Sequence, residues 1–137
     1  MLRRLFHIWR KESAPLVGAP PVRRQKTYSG QSGYVYQYYY EGCRIAHYGA
    51  SNGTEYVFDV SSGPKPSFPV AVFLADDSVR NWEREHEREL SSAEQYAVAK
   101  IALFRAFDER ATPAQMREAV HIRPADIADI LETLGID

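Results

Sequence analysis

The stretch Gly33-Tyr34-Val35-Tyr36-Gln37-Tyr38-Tyr39-Tyr40-Glu41-Gly42-Cys43-Arg44-Ile45-Ala46-His47-Tyr48 decides the fold. Side chains alternate across a strand, so Tyr34, Tyr36, Tyr38 and Tyr40 share one face, and Val35, Gln37 and Tyr39 the other. Glu41-Gly42 reads as a tight turn, with Gly42 supplying a positive φ, into a second strand over residues 43–48. Residues 49–53, with Asn52-Gly53, form a loop. A third strand then puts Tyr56, Phe58 and Val60 on one face and Val57 and Asp59 on the other. A loop containing Pro64 and Pro66 leads to a fourth, more continuously apolar strand over 68–74. Connections this short favour an antiparallel meander.

Downstream the period becomes helical. Asp76, Asp77 and Ser78 are N-cap candidates that place acids at the positive end of a helix. Val79, Trp82, His86 and Leu90 follow at helical spacing, and the remaining charges pair as Arg80/Glu83, Arg84/Glu87 and Glu85/Arg88. Ser91-Ser92-Ala93-Glu94 is a capping box for a helix to about residue 110. That helix carries Tyr96, Val98, Ile101, Leu103, Phe104 and Phe107 among five alanines, an apolar surface too wide for the outside of a domain. Thr112 and Pro113 suggest a short helix to about residue 120. Pro124 opens a last helix through Leu134, which Gly135 and Ile136 close in the Schellman manner. The fold expected is α+β: a four-stranded antiparallel meander, packed by a long core helix and closed by a C-terminal helical pair.

The 137 residues suit one domain, and their formal net charge is −1. That total conceals a division. Residues 1–26 hold seven basic groups against Glu12 alone, a charge of +6. Residues 27–137 hold ten basic and seventeen acidic groups, a charge of −7. The organisation expected is a basic arm and tether over 1–26 and a single α+β domain over 27–137. Leu2, Leu5, Phe6 and Trp9 recur at i, i+3, i+4 and i+7, with Arg3, Arg4, Arg10 and Lys11 mostly opposite. So short a helix forms when its apolar face meets lipid or a protein groove. Pro15, Pro20 and Pro21 make the rest of the arm an extended tether. The alternative is that the arm folds back on its acidic body.

The motifs of catalysis and metal binding are missing or incomplete. Glu83-x-x-His86 has no second copy, as a carboxylate-bridged di-iron site requires. Cys43 and His47, four apart on a strand, lie roughly 13 Å from one another. A single cysteine excludes an internal disulfide framework and suits a reducing compartment. The last two helices imitate helix-turn-helix spacing, but Asp126, Asp129 and Glu132 would repel phosphate. No apolar run reaches the ~20 residues that span a bilayer.

The function these residues suggest is a non-catalytic accessory or adaptor protein, without cofactor or metal, that docks onto a protein partner. Leu2, Arg3, Arg4, Phe6 and Trp9 would bind from the arm, and Tyr34, Tyr36, Tyr38 and Tyr40 from the sheet. Two alternatives differ in class. Tyrosines on a sheet can stack unpaired nucleic-acid bases, although Arg44 is the one cation between residues 34 and 56. Residues 1–11 could instead hold the protein at an anionic membrane surface. The location expected is the cytoplasm, or the periphery of a membrane.

Overall fold

A computed structural model describes residues 14–136. Residues 1–13, with the amphipathic arm, lie outside the described residues. The elements are β1 (Lys26–Ser29), β2 (Val35–Tyr48), β3 (Ser51–Ser61), β4 (Phe68–Ala75), α1 (Asp76–His86), α2 (Ser92–Glu109), a 3-10 turn (Pro113–Arg117), β5 (Val120–His121) and α3 (Pro124–Thr133).

The architecture is α+β. The sheet is five-stranded in the order β1-β2-β3-β4-β5, and mixed, because β5 runs parallel to β4. The expected four-stranded antiparallel meander is corrected in two ways. First, no turn forms at Glu41-Gly42. Residues on both sides of it pair with β3, so β2 runs straight through, and the register shifts between Tyr40 and Gly42. The positive φ of Gly42 serves a β-bulge instead. The hairpin turns at Gly49-Ala50, between the paired Tyr48 and Ser51, so Ser51, Asn52 and Gly53 belong to β3. Second, two short edge strands join the meander. Lys26–Ser29 pairs with β2, and Val120–His121 with β4.

That second edge replaces half of the expected helical pair. Thr112 makes no side-chain cap bond, and the chain turns only in a 3-10 manner over Pro113–Arg117. The Arg110 guanidinium then donates to the carbonyls of Gln115, Glu118 and Ala119. This holds the segment so that Val120 is buried beside Val72. Burying Val120 and Ile122 against the sheet edge outweighs one more helical turn.

Local signals held where caps are self-contained. Both halves of the Ser91 capping box form, at 3.1 Å and 2.9 Å. Ile136 N–H reaches Leu131 O at 2.8 Å and Gly135 N–H reaches Glu132 O at 2.9 Å, which is the Schellman pair. Helix α1 instead starts after Ala75 without a side-chain cap and stops at Glu87, in the left-handed region. Leu90 is buried beyond its end, and its N–H donates to Glu83 Oε2 at 2.7 Å. With Glu83 so engaged, Arg80 pairs with Asp77 and Arg88 with Glu94 rather than as the spacing suggests.

The core lies between one sheet face and α2. Tyr36 stacks on Phe107 with ring centroids 4.3 Å apart, and Tyr28 on Phe104 at 4.4 Å. Val60, Val70, Val72, Leu74, Leu103 and the apolar side of α3 complete it. The Tyr36 hydroxyl is buried there without a hydrogen-bond partner. Tyr36→Phe removes that desolvated oxygen and keeps the stack. It is expected to raise the urea unfolding midpoint, by a stabilisation of about 1 kcal/mol. Phe107→Ala, measured the same way, is expected to cost about 3–5 kcal/mol.

Candidate functional site

The extended segment before β1 is laid against the sheet. Val17 exchanges two backbone hydrogen bonds with Cys43, both 2.8 Å, just beyond the bulge in β2. Gly42 makes this approach feasible, because a Cβ there would sit 2.7 Å from Val17 O. Further along, Arg23 donates to Glu41 at 2.6 Å and to Asp59 at 2.8 Å, and its guanidinium lies 3.7 Å from the centroid of the Tyr39 ring. Tyr39 in turn donates to Gln25 at 2.9 Å. For residues 14–25, then, the basic segment does fold back onto acids of the body. It forms a strap fastened at two points, Val17 and Arg23.

Between the strap, the core face of the sheet and the start of α2 lies a cleft of about 760 Å³. Tyr38, Tyr40 and Cys43 of β2 and Tyr56 of β3 form its floor, Tyr96 and Lys100 come from α2, and Pro20, Pro21 and Val22 from the strap. Tyr40 meets Tyr96 at 4.6 Å between centroids, and Tyr56 meets it at 6.3 Å. Among the described residues the charged lining consists of Arg24, Lys26 and Lys100, with no carboxylate and no imidazole.

The groups in the cleft are strongly perturbed. Burial pushes the phenols of Tyr38 and Tyr56 up to about 12. The Tyr40 phenol is raised by burial first and then by its hydrogen bond with the Cys43 thiol. Tyr38 and Tyr56 are only 4% and 5% exposed, yet their hydroxyls find no hydrogen-bond partner among the described residues. Burial lowers the Lys100 ammonium, and repulsion from Lys26 lowers it further.

The tyrosines expected to form one contact face are divided by this arrangement. Tyr34 is exposed, Tyr36 and Tyr38 are buried beneath α2, and Tyr40 is half-buried in the cleft. Helix α2 occupies the face on which partners or bases were expected to stack. Leu2, Arg3, Arg4, Phe6 and Trp9 fall outside the described residues. The sequence reading missed Tyr56, Tyr96 and Lys100 as site residues. The available signal was Tyr96 and Lys100, four apart on a helix whose apolar surface seemed too wide, since i and i+4 share a face.

The remaining polar groups do not gather into a second centre. Cys43 faces the cleft, whereas His47 is exposed and holds Asn52 at 2.6 Å. His86 stacks on Trp82 at 4.1 Å, and His121 meets Tyr48 edge-on at 4.7 Å. Buried Glu55 is satisfied by Arg44 at 2.9 Å and by Tyr48 at 2.6 Å, a structural cluster on the opposite sheet face. Among the described residues no three potential ligands could hold a metal ion, and no helix is long and apolar enough to cross a membrane.

The phenols give a direct test of this burial. In the unfolded chain they ionise near 10, whereas Tyr38, Tyr48 and Tyr56 reach about 12 when folded. The folded state therefore binds more protons between these values. The stabilisation is complete below pH 10 and is lost as pH rises toward 12. Tyrosinate absorbance should show a late fraction that appears together with alkaline unfolding; one smooth titration of all nine tyrosines near 10 would contradict the burial. No family model matches this chain, and neither does any curated protein or solved structure, so the cleft is interpreted from its own chemistry.

Proposed function

We propose that the domain is a non-catalytic binding module that holds a small molecule with a largely apolar body in the cleft beneath the strap. The observation that carries this reading is the pair Tyr38 and Tyr56. Each is more than nine-tenths buried, lines the cleft, and among the described residues has no protein partner for its hydroxyl. Unlike the Tyr36 hydroxyl, which is sealed in the core, these two are not closed off from the cleft. A ligand that accepts from them while covering the rings takes the place of water there.

The cleft's volume falls within the range typical of small-molecule sites, and a mostly apolar wall with few convergent polar groups is their usual composition. The raised phenols remain protonated at neutral pH and so serve as hydrogen-bond donors. With no carboxylate or imidazole in the lining among the described residues, recognition is better supported than general acid–base catalysis. The strap supplies one wall, and its Val17 and Val22 are largely exposed, an arrangement suited to local opening.

Ala93 provides the test. It lines the cleft from the exposed first turn of α2, so Ala93→Trp narrows the cleft without entering the core. The neutral dye N-phenyl-1-naphthylamine is expected to bind the native protein saturably, at one site, with enhanced fluorescence. Ala93→Trp should weaken this about tenfold or more while leaving the melting temperature unchanged. Equal binding by a folded Ala93→Trp protein would falsify the assignment of the site.

A further inference from the structure

Resting on the reading of the cleft as a small-molecule site, we infer that its ligand is an amphipathic carboxylate whose head group sits between Lys26 and Lys100 and whose apolar tail runs toward Cys43. The two ammonium groups of the cleft share one end. Lys26 stands opposite Tyr38 in the pairing of β1 with β2, and Lys100 lies one turn beyond Tyr96 on α2, so both ammonium groups belong to the Tyr38 end. At the other end Cys43 faces Tyr56, beside Ala93 in the first turn of α2. From Ala93 to Lys100 the helix rises roughly 10 Å, a span that a medium-length hydrocarbon chain can follow.

Charge decides the nature of the head group. Among the described residues Arg24, Lys26 and Lys100 share the lining with no acid, and Lys26 is close enough to Lys100 to depress its ammonium. Two cations held near one another without a counter-ion repel, and an anion between them turns that repulsion into attraction. The Tyr38 hydroxyl, a protonated donor at the same end, can add a charge-assisted hydrogen bond to a carboxylate. The apolar floor then takes the tail.

The same pattern argues against other occupants. The chain's own N-terminal segment carries Arg3, Arg4, Arg10 and Lys11, like charges to those of the cleft. A nucleic-acid strand presents a negative charge at every residue, whereas only three cations line this mostly apolar trough among the described residues, two of them at one end.

The experiment uses the full chain and displacement of N-phenyl-1-naphthylamine by decanoate, 1-decanol and decyltrimethylammonium, each below its micelle-forming concentration. Decanoate is expected to displace the dye at about tenfold lower concentration than decanol, and the cationic amphiphile to be weakest. Lys100→Met keeps the length of the side chain and removes its charge. It should weaken decanoate about tenfold while leaving dye and decanol within about twofold. Equal displacement by decanoate and decanol, with dye binding intact, would overturn the head-group assignment and leave the cleft as a small-molecule site. Failure of the dye, decanol and decanoate alike to bind the folded native protein would overturn both. A Lys100→Met protein that binds decanoate like the native one also overturns the assignment, provided both melt at the same temperature.

Discussion

The contact on which the rest depends is aromatic: Phe104 and Phe107 of α2 against Tyr28, Tyr36 and Tyr38 of the sheet. Stacked, tilted and edge-on rings account for these contacts, at separations from 4.3 Å to 6.2 Å. Such pairs contribute about 0.5–1.5 kcal/mol each beyond the area they bury. They also fix how α2 lies along β2. Tyr96, two and three turns nearer the N-terminus than these phenylalanines, is thereby placed over Tyr40 rather than over Tyr36. Near Phe107 the sheet and helix close completely. Toward Ser92 the interlocking phenylalanines give way to Ala93, and the space left open there is the cleft.

The second constraint is the bulge at Gly42. A bulge bends the strand that carries it and increases its local twist. Here it also leaves a backbone position without a Cβ, where Val17 can approach and pair with Cys43. The residue that interrupts β2 is therefore the one that anchors the strap, and the strap walls the cleft. A binding site arises from one glycine acting on two neighbours, the strand it bends and the chain it admits.

How much of this was legible in the sequence depends on the range of the interaction responsible. The alternation of Tyr34, Tyr36, Tyr38 and Tyr40, the Ser91 capping box and the Gly135-Ile136 helix end were readable because each is settled by residues within a few positions. Gly42 was ambiguous for a physical reason. A turn and a bulge both use positive φ, and what separates them is whether the following residues pair with the same neighbour or fold back. That neighbour, β3, lies beyond the segment. The edge strands failed in the same way: Val120 has no strand signal of its own and is drawn in by Val72. The cleft was hidden for a similar reason, since its charged end joins Lys26 on the first strand to Lys100 on the core helix. What the sequence did show was the tyrosines and the core helix, without the way that helix lies over them and divides them into core and cleft.

The charge division acquires a structural meaning at this scale. Arg23 is neutralised by Glu41 and Asp59, on the sheet face away from α2, where it also covers Tyr39. Arg24, the next residue, lines the cleft instead, as does Lys26 after Gln25 turns away to Tyr39. An extended chain sends successive side chains to opposite sides, so a basic run cannot be neutralised by one acidic surface. Arg23 meets the acids of the body, and Arg24 and Lys26 are left facing the space the strap encloses. The prolines of the strap favour this extended conformation. The positive end of the cleft thus follows from laying a basic, proline-rich segment along an acidic sheet.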